Sequence, residues 1–264
     1  MADTTVVESV LKRDRTIVLT ALVGVVVIAW IYLAILATKM NQLSAMEMVE
    51  MTRWTAVDFV LMAIMWAVMM VGMMVPGATP AILNFARLSR EKREQGETYV
   101  PTTVFVMGYL AVWAVFSLGA TVLQWLLNSL ALLSPMMVTT SPILGGLILI
   151  AAGIFQWSPI HHNFLARCRN PLEIFRRRFS EGATAFFMGW ENGANCLGCC
   201  LVLMLLLFVG GVMNLLWVAV ITVFILVEKA VPYGDVCGRW SAIPLALAGI
   251  AVIFFDLKFH PHGM

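Results

Sequence analysis

Charge is scarce in this chain. Only 12% of its 264 residues are Asp, Glu, Lys or Arg, while 61% are hydrophobic. A soluble domain is about 25% charged and about 45–50% apolar. A water-soluble globule of this length would lack the polar residues to cover its surface, so that class is excluded. The net charge of +2 leaves no basic excess for a polyanion, and no nucleic-acid partner is expected. Cysteines number 5, an odd count with no spacing of a secreted disulfide framework. No internal repeat, phosphate-cradling loop or dinucleotide motif is present. The first apolar run is long and lacks a small-residue cleavage site, so no cleavable signal peptide is expected.

What remains is apolar and long. Seven stretches have spanning character: about Ile17 to Ala37, Trp54 to Val75, Thr103 to Leu127, Ile143 to Trp157, Ala183 to Val209, Val212 to Val227, and Ala242 to Phe255. A hydrocarbon core of about 30 Å takes roughly 17–25 helical residues, which makes the fourth and seventh short. The expectation is an all-α, polytopic transmembrane helical bundle of about seven spans, or six if the last lies flat. Residues 1–16 form an N-terminal segment, 17–257 the helical domain and 258–264 the tail.

Basic residues orient the chain. With the N-terminus in the cytoplasm, the inside holds Lys12, Arg13, Arg15, Arg87, Arg90, Lys92, Arg93, Arg167, Arg169, Arg176, Arg177, Arg178, Lys229 and Arg239. Only Lys39, Arg53 and Lys258 fall outside. Positive residues favour the cytoplasmic side, so a multi-pass protein of the cytoplasmic (inner) membrane is expected, with the lipid bilayer as its first partner.

The fifth stretch contains "GWENGANCLGCCLVLM", Gly189 to Met204. At 100° per residue, Met188, Asn192, Cys196, Cys199 and Cys200 share one broad helix face, with Met204 at its edge and Glu191 and Asn195 beside it. Thiolates and thioethers suit soft ions, Cu(I) above all. Cys196 lies about 12 residues into the run, about 18 Å deep at about 1.5 Å per residue, where transporter sites also sit. The candidate metal ligands are therefore Cys196, Cys199, Cys200, Met204, Met188 and Glu191. The plain alternative is that the cysteines are small buried apolar residues and that Glu191 is an ion-pair or interfacial residue.

A second pattern lies in the second stretch. Asp58, Met62, Met65, Met69 and Met73 fall within roughly an 80° wedge, a ladder that could pass a soft cation inward from Asp58. Met70 and Met74 point elsewhere in this reading. Methionine is also ordinary packing material. His161, His162 and Cys168 share one short cytoplasmic loop in this reading and form a candidate relay. Gln156, Asn192, Asn195, Glu228 and Lys229 are polar residues of the spans or their ends, with hydrogen-bonding or ion-pair roles. His260 and His262 make an isolated HxH pair in the tail.

Several further segments carry a resemblance. They are "MMVPG" ending the second stretch, "GYLAVWAVFS" (Gly108 to Ser117), "AAGIFQWSP" (Ala151 to Pro159), "CRNP" (Cys168 to Pro171), "CLGCCLVLM" (Cys196 to Met204), "GGVMNLLWV" (Gly210 to Val218) and Glu228-Lys229. From the second to the sixth stretch the chain resembles a family of integral membrane proteins labelled domain of unknown function 2182, described as metal-binding and sometimes as copper chaperones. Where that resemblance leads one to expect a lysine after the Gln-x-x-Pro pattern, this chain has His161.

Three functions follow. The first is copper handling, in which Cu(I) is moved or delivered to a partner cuproenzyme or other membrane subunit. The second is a subunit of a copper-dependent oxidase or monooxygenase acting on an apolar substrate. Such oxygen-activating sites lean on imidazole, and all 4 histidines lie outside the seven stretches, so an enzyme acting alone is not expected. The third is a packing or assembly subunit with no metal.

Overall fold

The computed structural model describes residues 2–42, 54–96, 101–133, 138–180, 182, 184–231 and 234–259. Helices dominate them: α1 (Ala2–Gln42), α2 (Ala56–Glu94), α3 (Thr102–Ser129), α4 (Pro142–Trp157), α5 (Pro159–Arg169), α6 (Pro171–Ser180), α7 (Ala185–Leu205), the short α8 (Leu207–Gly210), α9 (Leu215–Ala230) and α10 (Gly234–Phe259). Among the described residues the only β pairing is one isolated bridge between Leu133 and Thr139. The all-α membrane bundle is what the apolar runs predict, because helices satisfy their own backbone groups in lipid.

Among the described residues, five helical segments are long and apolar enough to cross a membrane: Thr16–Lys39, Ala56–Glu94, Thr102–Ser129, Ala185–Gly210 and Val236–Asp256. A sixth is obtained if α4 and α5, bent by 65°, count as one broken span. The bend has a local cause. Ser158 leaves helical geometry, and its side chain accepts from the Ile160 amide to cap α5, with Pro159 in the first turn. The sixth apolar stretch yields only the 16-residue α9. Gly211, at φ 90°, turns the chain, and Asn214 caps α9 by accepting from the Trp217 amide, so Val212 and Met213 are left outside the helix. The seventh stretch extends beyond its sequence reading, as the 26-residue α10. α1 runs unbroken from Ala2 to Gln42.

Small residues set the helix contacts. On α3 and α7, a Cβ at Gly108 would stand 2.0 Å from the Phe186 carbonyl oxygen, and one at Gly189 would stand 1.9 Å from that of Phe105. The two backbones therefore touch at reciprocal glycines, as close-packed membrane helices do. α4 and α10 repeat the device: a Cβ at Gly153 would meet the Ala242 carbonyl at 2.7 Å, and one at Gly249 that of Gly146 at 2.6 Å. α7 is the centre of the bundle and is the most buried of the spanning helices, whereas α1 is the least buried and lies outside. The remaining apolar surface, including Val23, Ile28, Val115, Leu216 and Leu247, is exposed, as a lipid-facing surface must be.

α2 passes through the core with Pro76 and Pro80 inside it. Pro76 has no amide hydrogen, so the Gly72 carbonyl loses its helical partner. Trp30 of α1 fills the gap, its Nε1 donating to that carbonyl at 3.3 Å. At one end of the bundle, Phe85 stacks on Phe105 and Phe179 and meets Phe175 edge-on. This cluster joins α2 and α3 to α6 and brings the basic ends of α2 and α6 together, with Lys92 over the Phe179 ring.

Candidate metal centre

The glycine contact of α3 and α7 builds the site. Tyr109 follows Gly108, and Cys196 lies two turns beyond Gly189. The close approach puts the Tyr109 hydroxyl 3.1 Å from Cys196 Sγ. The same hydroxyl lies 3.2 Å from the Met74 carbonyl, two residues before Pro76. From the last turn of α9, Lys229 Nζ reaches Cys196 Sγ at 2.9 Å. The Lys229 stem packs on α2 where a side chain is missing, since a Cβ at Gly77 would lie 3.3 Å from its Cδ. Lysine and tyrosine can both donate to this sulfur, and a thiolate accepts only.

Cys199 is the hub of the other thiols. Its sulfur is 3.4 Å from Cys200 Sγ and 3.8 Å from Cys168 Sγ, and its thiol donates to the Cys196 carbonyl at 3.1 Å. Cys196, Cys199 and Cys200 are buried, as are Met188 and Met204. Metal–sulfur bonds of about 2.3 Å put two sulfurs on one tetrahedral ion about 3.8 Å apart, so the Cys168–Cys199 separation already has that value. Among the described residues, however, no three His, Cys, Asp or Glu side chains surround one common point. Seating an ion between more than two of these thiols therefore needs at least one to change rotamer.

The structure sorts the other sequence candidates. Glu191 is ion-paired. Arg178 of α6 holds its carboxylate through two bonds, Nε to Oε2 at 2.8 Å and Nη2 to Oε1 at 2.9 Å. Asn192, Asn195 and Met188 line a narrow crevice together with Arg167, Arg178 and Glu191. That crevice shares its outer residues with a wider cleft of about 440 Å³ bordered by Arg167, Arg177, Arg178, Glu173 and Glu191.

Asp58 closes a helix cap. Its carboxylate accepts from the Thr55 amide at 2.9 Å and the Thr55 hydroxyl at 2.7 Å, while Thr55 Oγ1 accepts from the Asp58 amide. Met65, Met69 and Met73 are buried, and Met62 is half-buried with its sulfur accepting from Gln124 Nε2 at 3.7 Å. Met70 and Met74, expected to point elsewhere, are equally buried, because α2 is surrounded over most of its circumference.

His161, His162 and Cys168 lie on the helix α5, not in a loop, and they part company there. His161 is buried and stands 3.6 Å from Glu228 Oε1. His162 pairs Nδ1 with the Ser158 carbonyl and accepts from Arg239 at Nε2. Cys168 alone joins the sulfurs. His260 and His262 lie outside the described residues.

Sequence reading missed Tyr109 as a neighbour of Cys196, Lys229 as its charged partner, and Cys168 as a fourth thiol of the group. Only the Gly-Tyr pair on α3 signals the first, since a glycine marks close approach. Gln124, also missed, accepts from Trp66 Nε1 at 2.6 Å within the core.

Comparison with family models matches residues 63–252 to the PpoB2 family, described as copper chaperone. The match covers well over half of the chain, and the chain belongs to that family. No curated protein and no solved structure matches it.

Proposed function

From membership of the copper chaperone family, we propose that this membrane protein carries Cu(I) as cargo and hands it to a partner cuproenzyme or membrane subunit. The observation that carries the reading is the meeting of four thiols, Cys168, Cys196, Cys199 and Cys200, in the middle of an apolar bundle beside one lysine. Soft thiolate and thioether donors select Cu(I). Two or three thiolates around one Cu(I) leave net negative charge, and a buried charge needs a partner. Lys229 supplies it. The need for a thiol to move suits a carrier, because a site that closes on binding can also open to release.

Met188 and Met204 border the thiols on the same helix and are available as thioether ligands. The methionines of α2 form a candidate path along the core. The arginine-lined cleft and the crevice at Asn192 and Asn195 form a candidate route between the thiols and water. In the orientation read from the basic residues, with the N-terminus in the cytoplasm of a bacterial-type inner membrane, that cleft faces the cytoplasm.

The test is copper content by mass spectrometry on protein purified anaerobically in detergent, comparing wild type with Cys196→Ser/Cys199→Ser/Cys200→Ser. Copper near one per chain in the wild type, absent from a variant with the same helical content, is the expected result. Equal copper in both, or none in either after Cu(I) loading, overturns the proposal.

A further inference from the structure

A second buried polar group begins one residue along α9 from Lys229 and is separate from the thiols. Glu228 and Lys229 are neighbours on α9, so their side chains leave the helix about 100° apart. Lys229 goes to Cys196. Glu228 goes to His161 of α5, with Gln156 of α4 beside them and Gly238 of α10 closing the far side. Gln156, His161 and Glu228 are 0%, 1% and 2% exposed.

Their polar atoms lack partners. Both amide atoms of Gln156, both ring nitrogens of His161 and Glu228 Oε1 make no hydrogen bond. One unmade hydrogen bond of a buried group costs about 1–3 kcal/mol, and more when the group is charged. Native proteins keep such atoms only where something else satisfies them or where they do chemistry. Five in one place point to a guest.

The geometry and the donor types say which guest. His161 Nε2 and Glu228 Oε1 are 3.6 Å apart, too far for a hydrogen bond. Two donors at about 2.0–2.2 Å from one tetrahedral ion stand about 3.4 Å apart. On the other side, the point where a Gly238 Cβ would sit is 2.2 Å from Glu228 Oε1 and 3.2 Å from Gln156 Oε1. Two acceptor oxygens thus approach the same bare backbone. A cation accepts both; another acceptor cannot. Imidazole with carboxylate and amide oxygen suits borderline divalent ions, whereas Cu(I) prefers soft sulfur donors over oxygen.

We propose that Gln156, His161 and Glu228 form a second cation site, for a borderline divalent ion of the Zn²⁺ or Co²⁺ type, bound through nitrogen and oxygen. It joins α4 and α5, on either side of their 65° bend, to α9. The site does not depend on the copper reading, since it shares no ligand with the thiols.

The probe is Co²⁺ added to the full chain in detergent. Cys168, Cys196, Cys199, Cys200 and Cys237 are replaced by Ser, and His260 and His262 by Ala to remove the tail pair. The expected result is one Co²⁺ per chain, with visible ligand-field bands and no sulfur charge-transfer band. His161→Phe and Gln156→Leu in that background each lower the affinity at least tenfold, and so does Glu228→Gln if it folds. Failure of the thiol-free chain to bind Co²⁺ overturns the proposal and leaves water as the guest. So does unchanged affinity in folded His161→Phe and Gln156→Leu chains. Copper loading of the unmodified protein is read separately, so either site can fail without the other.

Discussion

Lys229 Nζ of α9 lies 2.9 Å from Cys196 Sγ of the central helix α7. An ammonium held against a thiol in an apolar bundle balances the charge of a loaded thiolate site. Lys229→Met keeps the stem and removes the charge. A charge-assisted hydrogen bond contributes about 1.5–3 kcal/mol, so Cu(I) affinity should fall roughly 10–100-fold. Competition against a chromogenic Cu(I) chelator measures it. An unchanged affinity would make Lys229 a packing residue.

Cys168 stands 3.8 Å from Cys199, while Cys237 is exposed on α10 away from every other thiol contact described. Cys168→Ser should weaken Cu(I) binding by about tenfold, the loss of roughly 1.4 kcal/mol. Cys237→Ser should leave it unchanged. Equal effects of the two would remove Cys168 from the site.

Gly108 and Gly189 let α3 and α7 touch, and that contact delivers Tyr109 to Cys196. Gly108→Ala or Gly189→Ala should cost about 3 kcal/mol or more, because the added Cβ meets backbone, which cannot rotate away. Gly119→Ala on the same helix α3 meets nothing within 4 Å and should be neutral or stabilising by up to about 1 kcal/mol. Thermal unfolding in detergent separates them. Loss of copper in parallel with loss of stability is expected only at the first two positions.

Glu191 is committed to Arg178, so Glu191→Gln should leave one copper per chain bound. The change in stability should stay below about 1 kcal/mol, as for other part-exposed ion pairs. Copper content by mass spectrometry checks this. A drop to half or less would return Glu191 to the ligand set.

Asp58 completes a capping box with Thr55. Thr55→Ala should destabilise the protein by about 1 kcal/mol without altering copper loading. Asp58→Asn keeps an acceptor for the Thr55 amide and should cost less. If Asp58→Asn instead slows Cu(I) uptake into reconstituted vesicles while the melting temperature holds, Asp58 acts as a mouth for the methionine path.

Some of this architecture is local and therefore readable in one dimension. Apolar length predicts helices in lipid, and helical period places Cys196, Cys199, Cys200, Met188 and Met204 on one side of α7. Those residues are indeed buried together. Local patterns also mislead where a cap intervenes. Asn214 shortens α9 at its start, and Ser158 with Pro159 turns a supposed loop carrying His161 and Cys168 into a bent helix.

Partnership across helices was decided only by the tertiary structure. Cys168 is 31 residues from Cys199, Tyr109 is 87 from Cys196, and Glu191 and Arg178 sit on different helices. Period along one helix cannot say which neighbour it meets, or at what height. Reciprocal glycines, a proline-freed carbonyl and two helix caps settle that, by fixing how closely and at what register the helices pack. The sequence by itself determined an all-α membrane chain with a sulfur-rich face. Packing decided which side chains that face would meet, a fourth thiol, a tyrosine and a lysine, and gave the glutamate to Arg178.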